Sequence, residues 1–189
     1  NGAVAFPPNP TLQTDYRLVS IPGVNRFTFG DILSGAQRTD WRIFRENGAD
    51  PPSDLTELSA SDSLRVAEGY LLIRKGEFNF SRTVSMPSVA ANGTYSVPVD
   101  RKWILIGNPF DKEVMWQSVL AASGLTNRPL YTYRGSTQTD SVLRPFNGYL
   151  FENVSGQSKN AADTLRFQFP FPTMSVPPIL SVPFSWKVR

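Results

Sequence analysis

The chain has 189 residues, 40% of them hydrophobic and 19% charged, with 16 Pro and 13 Gly, a composition for a folded chain of short elements and turns rather than long helices or disorder. Lys and Arg number 19 against 16 Asp and Glu, a net charge of +3, and with no basic run to track phosphates, nucleic acid is not an expected partner. There is no His and no Cys, which excludes Ser-His-Asp triads, disulfides, thiolate nucleophiles and His- or Cys-based metal sites, leaving only oxygen ligands for a hard cation.

Residues 1–15 carry Pro7, Pro8 and Pro10 and read as an extended lead or linker, because proline fixes φ and removes a donor. The opening residues have no basic segment followed by an apolar one, and no stretch approaches the roughly 20 apolar residues of a membrane span. The expectation is a mature or excised module with no membrane span. Residues 16–189 read as one compact unit, beginning with a β-type run at 16–21 that Pro22-Gly23 stops. Residues 27–33 predict one short helical turn carrying Phe29, Ile32 and Leu33.

A strand follows at 41–45, closed by Glu46-Asn47-Gly48, and residues 50–64 form a polar insertion with Asp50, Asp54, Glu57 and Asp62. Gly69-Tyr70-Leu71-Leu72-Ile73 is an apolar strand ending at the Lys75-Gly76 turn, and residues 77–102 supply bridging strands around Asn92-Gly93. Residues 111–123 are the best helix candidate, with Asp111 as cap, Val114, Met115, Val119 and Leu120 near helical spacing, and Gly124 as stop. Strands at 130–134 and 148–151 follow. In the C-terminal part, 157–189, Leu165, Phe167 and Phe169 alternate with polar residues, as do Phe184, Trp186 and Val188.

Three blocks occur twice in the same order. Tyr16-Arg17-Leu18-Val19-Ser20-Ile21-Pro22 matches Trp103-Ile104-Leu105-Ile106-Gly107-Asn108-Pro109; Trp41-Arg42-Ile43-Phe44-Arg45 matches Leu130-Tyr131-Thr132-Tyr133-Arg134; and Gly69-Tyr70-Leu71-Leu72-Ile73 matches Gly148-Tyr149-Leu150-Phe151-Glu152. Ordered recurrence implies an internal duplication, with copies at 16–76 and 103–156. The fold class that follows is mainly β, two similar β-rich halves with short helices, barrel-like or sandwich-like, the C-terminal strands completing the core.

The repeated residues form strands and turns and include no matching acid pair, so no catalytic residue, metal ligand or cofactor is assigned, and the chain is read as a non-enzyme. Asp50, Asp54, Glu57 and Asp62 match no calcium-loop spacing and read first as a solvated loop. Gly69 and Gly148 stand alone ahead of aromatics, where they permit a close backbone approach rather than cradling phosphate. Trp41, Tyr70, Trp116, Tyr131, Tyr133 and Tyr149 are the available platforms, since a flat ring stacks on a sugar face, with Trp41, Tyr70, Trp116, Tyr131 and Tyr149 the candidate ligand-binding residues; Trp41 and Trp116 also have apolar neighbours that suit a core.

The duplicated blocks resemble an aromatic and Gly-Tyr β-repeat found in large secreted bacterial and archaeal multidomain proteins. The resemblance covers about residues 16–156, with Leu71 and Leu150 where such repeats often carry Trp. It implies an extracellular or cell-surface β-rich accessory module without known catalytic residues. The expected function is a non-catalytic scaffold or adhesion domain whose partners are other domains of its parent protein. The alternative is a carbohydrate-binding module attached to a polysaccharide-degrading enzyme, with polysaccharide as partner.

Overall fold

The computed structural model describes residues 2–24, 26–48, 54–80, 82–99, 103–153 and 163–170. The alternating runs become strands in this order: β1 (Gly2–Val4), β2 (Arg17–Ser20), β3 (Trp41–Glu46), β4 (Leu55–Glu57), β5 (Gly69–Arg74), β6 (Phe78–Phe80) and β7 (Thr94–Val99). Then come β8 (Trp103–Gly107), β9 (Val114–Met115), β10 (Leu130–Tyr133), β11 (Thr137–Asp140), β12 (Val142–Leu143), β13 (Gly148–Glu152) and β14 (Asp163–Gln168). Among the described residues two short α-helices, α1 (Phe29–Ile32) and α2 (Trp116–Ser123), and a 3-10 turn at Gln13–Asp15 interrupt them.

The fold is mainly β, with two similar four-stranded antiparallel sheets of order β2-β5-β3-β4 and β8-β13-β10-β11. Both sheets have free edges, so the arrangement is open and sandwich-like rather than a closed barrel. Their registers coincide. Val19 opposes Tyr70 and Ser20 opposes Gly69 in the first sheet, as Ile106 opposes Tyr149 and Gly107 opposes Gly148 in the second.

In the middle block the register corrects the sequence alignment by two residues. Phe44 opposes Leu71 and Tyr131 opposes Leu150, so Tyr131 is the counterpart of Phe44, and Leu130 that of Ile43 rather than Trp41. A slip of two leaves every side chain on the same face of a strand, so hydrophobic alternation alone does not detect it.

Each sheet buries one face. Val19, Trp41, Ile43, Tyr70 and Leu72 join Phe29 of α1 and Phe78 and Phe80 of β6 in one core. Ile106, Leu130, Tyr149 and Phe151 join Trp116 and Leu120 of α2 and Leu165 and Phe167 of β14 in the other. The ribbons β1-β6 and β7-β14 thus do the same job in the two halves.

Several local expectations change. The lead is not merely a linker: β1 pairs with β6, and Phe6 is buried in the first core. The bridging strands β6 and β7 pair with β1 and β14, not with each other around Asn92-Gly93. The helix begins at Trp116 rather than 111, because Val114 and Met115 pair with Leu143 and Val142 as a bridge of two short strands. Asp111 therefore caps nothing, whereas Gly124 ends α2 in the left-handed conformation, φ 70°. The alternating run of Phe184, Trp186 and Val188 lies outside the described residues.

The two halves join by reciprocal backbone bonds. Ser20 N–H donates to the carbonyl of Phe146 at 3.0 Å, and its counterpart Gly107 donates to Ala67 at 2.8 Å. Ala67 and Phe146 themselves occupy equivalent turns, both with positive φ, 60° and 67°. Isolated bridges repeat the relation, Val19 with Asn147 and Ile106 with Glu68.

Candidate functional site

The sheet faces turned away from the two cores meet in a groove of about 700 Å³. Period-two alternation sends Leu18, Phe44 and Leu71 to this face while their neighbours Val19, Ile43 and Leu72 go to the core. The second half contributes the counterparts Leu105, Tyr131 and Leu150. The groove therefore straddles the approximate twofold axis relating the halves.

Its walls are two equivalent ring pairs. Tyr16 and Phe44 have centroids 6.0 Å apart at 57°, and Trp103 and Tyr131 have centroids 6.2 Å apart at 51°. Both separations suit tilted aromatic contacts. Trp103 is 36% exposed at the rim, and the Tyr133 hydroxyl donates to the carbonyl of Gln13 at 3.3 Å. That bond ties the turn before β2 to the second sheet.

Charge breaks the symmetry. Glu46 and Asp54 line the groove in the first half, and Tyr133 stands where the second half would have matched Glu46. Past Tyr16 and Gln13 an adjoining cleft of about 480 Å³ is lined by Arg38, Arg42, Arg74 and Lys75 with Asp40. Arg42 donates to both carboxylate oxygens of Glu57 at 3.1 Å, and these bonds hold the Glu57 carboxyl below its ordinary pKa range. Along the open face of β3 the order is thus Arg42, Phe44, Glu46, over about 13 Å at the strand rise.

Of the platforms expected from sequence, the structure brings Tyr131 and Tyr133 to the groove. Trp41 is buried, its indole N–H donating to the Gly35 carbonyl at 3.2 Å. Trp116 is buried against Phe151, centroids 5.3 Å apart, and its N–H donates to the Arg128 carbonyl at 2.7 Å. Tyr70 and Tyr149 are buried too, each hydroxyl accepting a backbone N–H at 2.8 Å, from Arg65 and Arg144 respectively. A ring enclosed in this way presents no plane to a ligand. Tyr16, Phe44 and Trp103 were missed as site residues, although the aromatic that opens each copy, Tyr16 or Trp103, was the available signal.

The acidic insertion does not act as one cluster. Asp54 faces the groove, Glu57 pairs with Arg42 and Arg38, and Asp62 accepts the Ser59 N–H and hydroxyl at 2.6 and 2.8 Å, which lowers its pKa. Asp50 lies outside the described residues. Among the described residues no three His, Cys, Asp or Glu side chains gather as a metal would need. No described helix is long and apolar enough to cross a membrane. Comparison of the chain with protein-family models, with curated proteins and with solved structures finds no match.

Proposed function

We propose that the chain is a non-catalytic accessory module of a larger secreted or cell-surface protein, a scaffold or adhesion domain whose groove is its recognition surface. The observation that carries this reading is the pair of equivalent aromatic walls, built by both halves and left on the face that neither core covers. Large, partly exposed rings above an apolar floor are the usual anchors of protein recognition. The duplication supports it as well, since what recurs is the sheet and the groove wall together.

A carbohydrate-binding role is the second reading, favoured specifically by Trp103, whose exposed indole beside Tyr131 offers a plane for a sugar ring. Both readings are tested by retention of the full chain on a displayed peptide library and on cellulose, xylan, chitin and mannan. Recognition through the groove requires that retention on some member be lost in Trp103→Ala and Tyr131→Ala while the melting temperature stays within a few degrees. Retention unaffected by both substitutions would sink the groove as the recognition surface.

A further inference from the structure

Resting on the reading of the groove as a recognition surface, we infer that its occupant is an extended, proline-rich polypeptide segment with a basic flank, the flank lying at Glu46 and Asp54. The floor is the first argument. Leu18, Leu71, Leu105 and Leu150 present side chains from the faces of the two sheets, while the edge strands β4 and β11 reach the groove through Leu55 and Thr137. A chain lying over the leucine floor meets side chains there and not a backbone ladder, so it is held by side-chain contact and not by strand addition. A polyproline II segment makes no internal hydrogen bonds and keeps its backbone solvated, so it loses least on such a floor. A sugar fares worse, because four leucines leave hydroxyls on its lower face without partners.

The walls are the second argument. Proline rings pack flat against aromatic faces, and tilted pairs on both sides make two similar notches along one channel. A polyproline II helix presents much the same ridges when its direction is reversed, so it suits a groove whose two ends are related by an approximate twofold. Such a groove gives contact but no direction.

Charge supplies the direction. Glu46 and Asp54 are the charged side chains among the described residues that line the groove, and both belong to the first half. The cations of the adjoining cleft lie towards Arg42, the other way along β3. A segment with Arg or Lys at one end is therefore attracted in one orientation and repelled in the other, which sets polarity and specificity.

The test uses the full chain and fluorescence anisotropy with labelled peptides of Pro-Pro-Leu repeats, ending in two arginines, two glutamates or neither. The arginine-flanked peptide should bind best, with its advantage falling as salt rises. Trp103→Ala and Tyr16→Ala should weaken it about tenfold or more, and Glu46→Gln with Asp54→Asn should abolish the difference in affinity between the arginine-flanked and unflanked peptides. Thermal melts of each variant separate lost contact from lost fold. Equal binding of a glycine-serine peptide with the same flank, or of the glutamate-flanked peptide, overturns the inference. If peptides fail but xylo- or cello-oligosaccharides shift Trp103 fluorescence, the groove reading survives and the polypeptide does not; if neither binds, both fall.

Discussion

Gly148 and Val19 cross backbone against backbone: a Cβ on Gly148 would lie 2.7 Å from both the amide nitrogen and the carbonyl oxygen of Val19. The equivalent Gly69 would place a Cβ 2.7 Å from the carbonyl oxygen of Ile106. The glycine that opens the third repeated block is thus what lets the two halves interlock. Because the obstruction is backbone on both sides, a side chain cannot simply swing away. Gly148→Ala and Gly69→Ala should each destabilise the chain by about 3 kcal/mol. Gly76, left-handed at φ 71° but with nothing near its would-be Cβ, is the control, and its Ala variant should lose only about 1 kcal/mol. Urea unfolding of the three variants checks the order, and equal losses would mean that the crossing is looser than these distances require.

The hydroxyls of Tyr70 and Tyr149 do matching work, each accepting the N–H of an arginine five residues earlier, Arg65 or Arg144. Replacing either with Phe leaves a part-buried N–H without that acceptor, at a cost of about 1 to 3 kcal/mol. Burial is the first cause raising the pKa of both phenols above the usual tyrosine range. In the unfolded chain they ionise near pH 10, earlier than in the folded protein, so the unfolded state binds fewer protons above that pH. Their contribution is therefore complete below about pH 10 and is lost as pH rises towards the folded values. Melting temperatures followed from neutral to alkaline pH should fall more steeply for the parent chain than for the Tyr70→Phe, Tyr149→Phe double variant; parallel curves would contradict this.

The sheets were legible because their determinants are local. The blocks at 16–22 and 103–109, and at 69–73 and 148–152, align in structure as they do in sequence, since Gly69 and Gly148 open equivalent strands and Pro22 and Pro109 each follow the end of an equivalent strand by two residues. The middle block carries no such mark, and its two-residue slip preserved every face. The groove was harder to read for the same reason. Alternation separates Tyr16, Leu18 and Phe44 from Val19 and Ile43, but it does not say which face a second layer will cover. That depends on where β6, β14 and the two helices dock, which is set by tertiary contact and not by the alternation within a strand. Trp41 and Tyr131 looked interchangeable as aromatics of one strand type, yet pairing places the first in a core and the second on the groove wall.

The three described tryptophans give that distinction a direct measurement. Trp41 is 3% exposed with its N–H bonded to a carbonyl, and Trp116 at 4% is the same kind of residue. Truncating either removes a large packed ring and orphans a carbonyl, so Trp41→Ala and Trp116→Ala should each cost about 3 to 5 kcal/mol. Trp103, 36% exposed and tilted against Tyr131, should cost under about 1 kcal/mol when truncated. Acrylamide quenching supplies the independent readout, because it reaches an exposed indole without any substitution. Measured in a Trp186→Phe background, so that only the three described indoles report, the Trp103→Ala variant should lose the most readily quenched fraction of the fluorescence, whereas a Trp103→Phe variant, which keeps an aromatic wall, should lose that fraction and retain groove binding. If Trp103→Ala instead unfolds the chain as Trp41→Ala does, its ring belongs to a core and the groove loses one of its two walls.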